Sequence, residues 1–257
     1  MTLTVDPNAM AMVPKAITRD RYHRYTHQGV TYPGVTGIIG VMGKGEGLMT
    51  WACRQAVSGV LDQLDTLPSM LANNDREKVV NMLAARSAWN RDKAGNRGSD
   101  IHDHADRIVT GRALGKVSAD HAPQVDAYRA WWESSGWTLR TSEAFVLHPD
   151  IGYGGTFDLL ARDEEGRTVL ADLKTGKGVY PEYRVQLAAY GMATLIARPE
   201  DTATYPMPAI DRYVVLHLTD RVRVIDLDVG DLDRQAFRDC VSLTRWKDAH
   251  DTWKRAS

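Results

Sequence analysis

Two short stretches of the chain set charged side chains among apolar neighbours. The first is Gly154-Gly155-Thr156-Phe157-Asp158-Leu159-Leu160, and the second is Val169-Leu170-Ala171-Asp172-Leu173-Lys174-Thr175-Gly176. Side chains alternate faces along a strand, so Asp172 and Lys174 point one way and Leu173 the other. A carboxylate and an ammonium on so apolar a strand each carry a desolvation cost of several kcal/mol unless they are paired or hold a metal. The turn Asp163-Glu164-Glu165-Gly166 makes the two stretches a hairpin and brings Asp158 beside Asp172. Adjacent carboxylates repel, and a divalent cation relieves the repulsion. Hard oxygen donors favour Mg²⁺ or Mn²⁺ over zinc. Taken alone, the hairpin also admits a plainer reading, in which it is exposed and Lys174 pairs with one aspartate.

The elements that must position these groups follow from periodicity. Residues 1–20, with Pro7 and Pro14, read as a loose arm, and residues 22–32 as a hairpin turning at Gly29. A glycine-broken apolar stretch follows Thr36. Helices are expected over 48–64, 75–91, from Ser99 or Asp100 to 110, and over 122–134, with a loop at 92–99 marked by Gly95 and Gly98. The period then changes to strands at 142–147, 155–162 and 168–174. A helix over 181–196 opens on Pro181, where a missing N–H is harmless. Strands at 212–218 and 222–229 and a helix over 232–255 close the chain.

Composition narrows the class. The 257 residues carry 32 basic and 33 acidic side chains, 43% hydrophobic and 25% charged, so the chain is an ordinary globular one without a strong basic signal for nucleic acid. That balance does not exclude a nuclease, which needs acidic ligands and can confine its basic residues to one groove. No run of 18 apolar residues suggests a membrane span, and residues 1–14 do not read as a secretory signal. Cys53 and Cys240 are too few for a disulfide framework or a four-cysteine site, so a reduced, cytoplasmic setting is expected. Gly43-Lys44-Gly45 lacks the spacing of a phosphate-binding Walker loop, so no ATP is expected.

Four segments occur in order: Arg97-Gly98-Ser99-Asp100-Ile101-His102, Gly155-Thr156-Phe157-Asp158, Asp172-Leu173-Lys174-Thr175-Gly176 and Gln186-Leu187-Ala188-Ala189-Tyr190. In that order they resemble the RecB-like branch of the PD-(D/E)XK nucleases, over roughly residues 98–196. Tyr32-Pro33-Gly34-Val35-Thr36 is loosely similar to the entry segment of the same enzymes. The resemblance implies an α/β, restriction-endonuclease-like fold: a central mixed sheet flanked by helices, with a helical N-terminal addition. Residues 1–97 would form the arm, hairpin and helical region, and residues 98–257 the nuclease core, in one compact unit.

It further implies that His102, Asp158 and Asp172 ligate Mg²⁺ or Mn²⁺ with the carbonyl of Leu173, and that Glu143 touches the metal through water. Lys174 would orient or help deprotonate the attacking water. Gln186 and Tyr190, four apart on one helical face, would lean over the site; Lys177, Tyr183 and Arg184 would flank it, either contacting phosphates or forming an ordinary solvated face. Without the resemblance, His102 before Asp103 and His104 reads as a solvated helix start, Gln186 and Tyr190 as ordinary amphipathic positions, and His104 and Asp106 as surface. Trp131 and Trp132 read as core aromatics, with base stacking as the alternative. The missing cysteines exclude the iron–sulfur cluster of some relatives. The implied activity is DNA phosphodiester hydrolysis, foremost by an exonuclease acting at DNA ends in recombination, repair or phage DNA metabolism, in a bacterial or infected cell. A structure-selective or nicking endonuclease and a non-catalytic DNA-binding module are the alternatives. A recombination or helicase partner, or self-assembly, is left open, as is exonuclease polarity.

Overall fold

A computed structural model describes residues 15–43 and 45–250. Strands β1 (Thr18–Arg19), β2 (Tyr25–His27) and β3 (Val30–Tyr32) form a small antiparallel sheet. Its second turn falls at Gln28 and Gly29, which have φ of 48° and 79°. Of the expected loose arm, residues 1–14 lie outside the described residues, and the remainder is ordered. Ile17 is fully buried against Tyr25, Phe145 and Leu147, which anchors β1.

After α1 (Val35–Ile39) and a 3-10 turn (Gly40–Met42) come α2 (Gly45–Leu61), α3 (Leu67–Asn73) and α4 (Arg76–Val109). The loop expected at 92–99 is instead the middle of α4. A helical glycine costs about 1 kcal/mol relative to alanine, but Val79 near one end and Ile101, Ala105 and Val109 near the other are buried and hold the helix continuous. The boundary drawn between residues 97 and 98 therefore falls within this helix. Helix α5 (Ala122–Ser134) matches its expected span, and Trp131 and Trp132 lean on the core beside Trp137.

The main sheet is seven-stranded and mixed. It contains β4 (Thr138–His148), β5 (Tyr153–Arg162), β6 (Thr168–Lys174), β7 (Leu195–Ala197), β8 (Tyr205–Pro206), β9 (Arg212–Leu218) and β10 (Val222–Leu227), ordered β10-β9-β6-β5-β4-β7-β8. Among the described strands of this sheet, β6 and β9 are the one parallel pair, joined by a crossover carrying α6 (Glu182–Met192). The expected helix over 181–196 thus ends early and yields its last residues to β7. Helix α7 (Asp231–His250) closes the described chain.

Alternation along β6 shows how the layers form. Val169, Ala171 and Leu173 pack with Ile101, Ala105 and Val109 of α4 and Tyr128 of α5, whereas Leu170 faces α1, α6 and α7 through Leu187, Phe237 and Val241. Both faces are covered, so the strand is apolar almost throughout. Helices α2 and α3 pack on α4. Among the described residues, no helix is long and apolar enough to cross a membrane.

Candidate active site

The site forms where β5 parts from β6. Their register pairs Leu159 with Ala171 as its last step, so the next position sets Asp158 beside Asp172. At this point Asp158 Oδ2 accepts from the Leu173 amide at 2.6 Å, taking the place of a ladder carbonyl.

Strand alternation breaks here. Phe157 packs on the α1/α6/α7 side and Leu159 on the α4/α5 side, although they are two residues apart. On β4, Ala144 likewise joins the first layer, while Ser142 Oγ donates to Asp106 Oδ1 at 2.5 Å. The pairing runs from Ser142–Leu159 to Ala144–Phe157 and skips Glu143 opposite Asp158. Glu143 takes a left-handed φ of 49°, a conformation costing a non-glycine residue about 1–2 kcal/mol. A bulge between Leu139 and Thr141 shifts the register by one and so sets Glu143, rather than Ser142, against Asp158.

His102 enters from α4, and its Nδ1 donates to Asp158 Oδ1 at 3.1 Å. Donor atoms of His102, Glu143 and Asp158 all lie within 4.8 Å of one another, a nitrogen-and-oxygen set that could hold a metal ion. Asp172, expected among these ligands, is not in that set. Its Oδ2 lies against the Lys174 ammonium, and its Oδ1 accepts from Gln186 Nε2 at 3.1 Å. Gln186 Oε1 accepts from Lys174 Nζ at 3.3 Å, and Gln186 Nε2 also donates to Tyr190 Oη at 2.9 Å. Lys174 stands over the Tyr183 ring, 4.7 Å from its centroid. Helix α6 therefore brings Gln186 and Tyr190 to the buried ion pair from one face.

Charge coupling follows from these contacts. Burial opposes a charged His102, but Asp158's attraction and hydrogen bond outweigh it and raise the imidazole to about 9. Burial resists ionisation of Asp158 as well, yet His102, Lys174 and the Leu173 amide hold it below the ordinary range. Burial, reinforced by Asp158, pushes Glu143 up to about 7. Burial also leads in raising Asp172, to about 6, against the pull of Lys174.

Close packing explains the two glycines ahead of Thr156. A Cβ on Gly154 would lie 2.6 Å from the Tyr25 ring, and one on Gly155 would lie 2.6 Å from Tyr190 on the opposite side. The small sheet can thus sit on β5 from one side while α6 sits on it from the other. The result is a cleft of about 550 Å³ lined by His102, Glu143, Asp158, Asp172, Lys174, Gln186 and Tyr190.

Other expected residues fall elsewhere. Arg184 is a correction: Asp233 accepts from its Nε and Nη2, each at 2.9 Å, and the Asp228 carbonyl also accepts from it, so it ties α6 to α7 outside the cleft lining. Lys177 is exposed beyond β6 and does not line the cleft. Leu173 is buried, its amide engaged by Asp158. His104 and Asp106, expected on the surface, are respectively buried and held by Arg112 and Ser142 at the cleft wall. His217 is buried too; it receives Arg223 on Nδ1 at 2.7 Å and reaches the Gly176 carbonyl with Nε2 at 2.8 Å, steadying the turn after Lys174. Sequence reasoning missed Arg19, His23 and Tyr25, which the small sheet brings to the cleft, and Asp103. The i, i+4 spacing of His102 and Asp106 on one helix face was the available signal for Asp106; Arg19, His23 and Tyr25 carried none.

Comparison with known proteins gives no match to a family model or to a curated protein sequence.

Proposed function

We propose that this chain is a metal-dependent deoxyribonuclease with a restriction-endonuclease-like fold, of the RecB-like PD-(D/E)XK type, acting foremost on DNA ends. The observation that carries the reading is one of convergence. Four segments spread over residues 97–190 meet in one cleft, with a His/Glu/Asp donor set beside a buried Asp–Lys pair. A purely structural ion pair would need neither the three further donors nor the left-handed backbone at Glu143.

The carboxylates of Glu143 and Asp158 suit Mg²⁺ or Mn²⁺, and His102 adds a nitrogen donor to the set. Such an ion supplies Lewis-acid stabilisation of phosphate charge and a more acidic water. The protein's own groups do the rest. Lys174, held by Asp172 and Gln186, orients the attacking water and offsets charge on the phosphate as the leaving oxygen departs. Asp158 fixes His102 from one oxygen and the end of β6 from the other. Gln186 keeps the ammonium and the Asp172 carboxylate together, and Tyr190 holds Gln186.

The test incubates the protein with end-labelled linear duplex, linear single strand and a closed circular plasmid, each with Mn²⁺, Mg²⁺ or EDTA, beside Asp172→Ala. Metal-dependent loss of linear DNA alone supports the exonuclease, and the label gives its polarity. Cutting of the circle moves the assignment to an endonuclease. Binding without cleavage, in every metal, leaves a DNA-binding module.

A further inference from the structure

Resting on the nuclease reading, we infer that Arg19 is a substrate-phosphate contact of this site, contributed by the small N-terminal sheet. The cleft presents five carboxylates, from Asp103, Asp106, Glu143, Asp158 and Asp172, to an anionic substrate. Its two Lys or Arg side chains among the described residues are Lys174 and Arg19. Lys174 is taken by Asp172, and His102 is taken by Asp158. Arg19 differs: it is exposed and has no carboxylate within ion-pair distance among the described residues. Its partners are two neutral hydroxyls, Thr156 Oγ1 at 3.3 Å and that of Tyr25, and the Phe145 ring, 5.9 Å away at its centroid, while Glu143 attracts it from beyond ion-pair distance.

Those contacts aim the guanidinium without a contact ion pair among the described residues. Thr156 Oγ1 is itself shared with Tyr25 Oη at 2.8 Å, and Tyr25 is buried and packed edge-on against Phe145. A guanidinium so placed keeps free donors in a planar fork suited to phosphate. Thr156 precedes Asp158 by two residues, about 7 Å along a strand. Arg19 therefore reaches a phosphate next to the reacting one, and its contribution falls on substrate binding.

Anisotropy of a labelled oligonucleotide in EDTA, over a series of salt concentrations, tests this with wild type, Arg19→Ala and Arg19→Lys. Arg19→Ala is expected to weaken binding about tenfold. It should also flatten the slope of log affinity against log salt by about 0.9 for duplex or about 0.7 for single strands. Arg19→Lys should restore the slope, because the charge returns, while recovering only part of the affinity. In the cleavage assay, Arg19→Ala should raise KM and leave kcat within about twofold. If wild type cleaves DNA but Arg19→Ala keeps its affinity and salt slope, the inference is overturned and the nuclease stands. Failure of the wild type both to bind and to cleave would overturn the nuclease reading, and the Arg19 assignment with it. Should Arg19→Ala lose stability, an Arg19→Lys slope equal to that of the alanine variant would still refute the charge role.

Discussion

Raising the pH from 6.5 to 9 in EDTA should destabilise this protein, and the His102–Asp158 pair sets the size of the effect. The imidazole moves from 6.5 to about 9, with burial opposing its charge and Asp158 prevailing. A group whose pKa is higher in the fold stabilises it fully below the unfolded value, and that contribution is lost as pH climbs through the folded value. The gap corresponds to roughly 3 kcal/mol. The side chain is 28% exposed, so solvent screening brings the expectation to about 2–3 kcal/mol. In a chain of this size 1 kcal/mol moves Tm by about 2–4 °C, giving a fall of about 4–12 °C. Glu143, raised to about 7, and Asp172, raised to about 6, act with the same sign in windows that begin at 4.5 and 3.8. Asp158, lowered, opposes them only on acidification below its unfolded 3.8. Scanning calorimetry in EDTA on wild type and His102→Gln isolates the pair, because glutamine keeps a donor without the charge. The variant's curve should be flatter between pH 6.5 and 9. Parallel curves for the two proteins would refute the coupling. Excess Mn²⁺ should reverse the wild-type slope, because the ligands must lose their protons to bind it.

Three further outcomes follow from the same geometry. Lys174→Ala should reduce cleavage at least about 100-fold while leaving Mn²⁺ and DNA binding largely intact; an active variant in the plasmid and linear-DNA assay would sink the mechanism. Glu143→Gly should relieve the left-handed backbone at φ 49° and stabilise the fold by about 1 kcal/mol in urea titration, yet weaken Mn²⁺ binding by calorimetry. A variant both less stable and equally tight for metal would contradict the assigned strain and ligand role. Gly155→Ala, with its Cβ 2.6 Å from Tyr190 and 3.1 Å from Val35, should cost about 1–3 kcal/mol through overpacking. An unchanged urea midpoint would show that α6 can yield.

Local pattern carries far in this chain, and it stops at identifiable places. The strands at 168–174 and 212–218 and the helix at 122–134 match their expected spans, since apolar periodicity and the turn at Asp163–Gly166 are short-range signals. Asp158 beside Asp172 was likewise legible, because a short turn leaves little freedom in register. The long helix α4 was not. Gly95 and Gly98 break a local pattern, whereas the buried contacts that override them lie near the helix ends. Arg184 looked like a phosphate contact until Asp233, 49 residues further on, took its guanidinium.

Residue types and their order supply the inventory of the site: a histidine, a pair of aspartates, a lysine, and a glutamine and tyrosine along alternating elements. Tertiary structure alone decided their grouping. Glu143 meets Asp158 because a bulge slips β4 by one residue, and Asp172 goes to Lys174 and Gln186 because α6 lies on that face. Arg19 reaches the cleft across 137 positions of chain, at Thr156. Backbone preference acts over a few residues, whereas a site of this kind is closed by packing between elements, and no local pattern records which faces will meet.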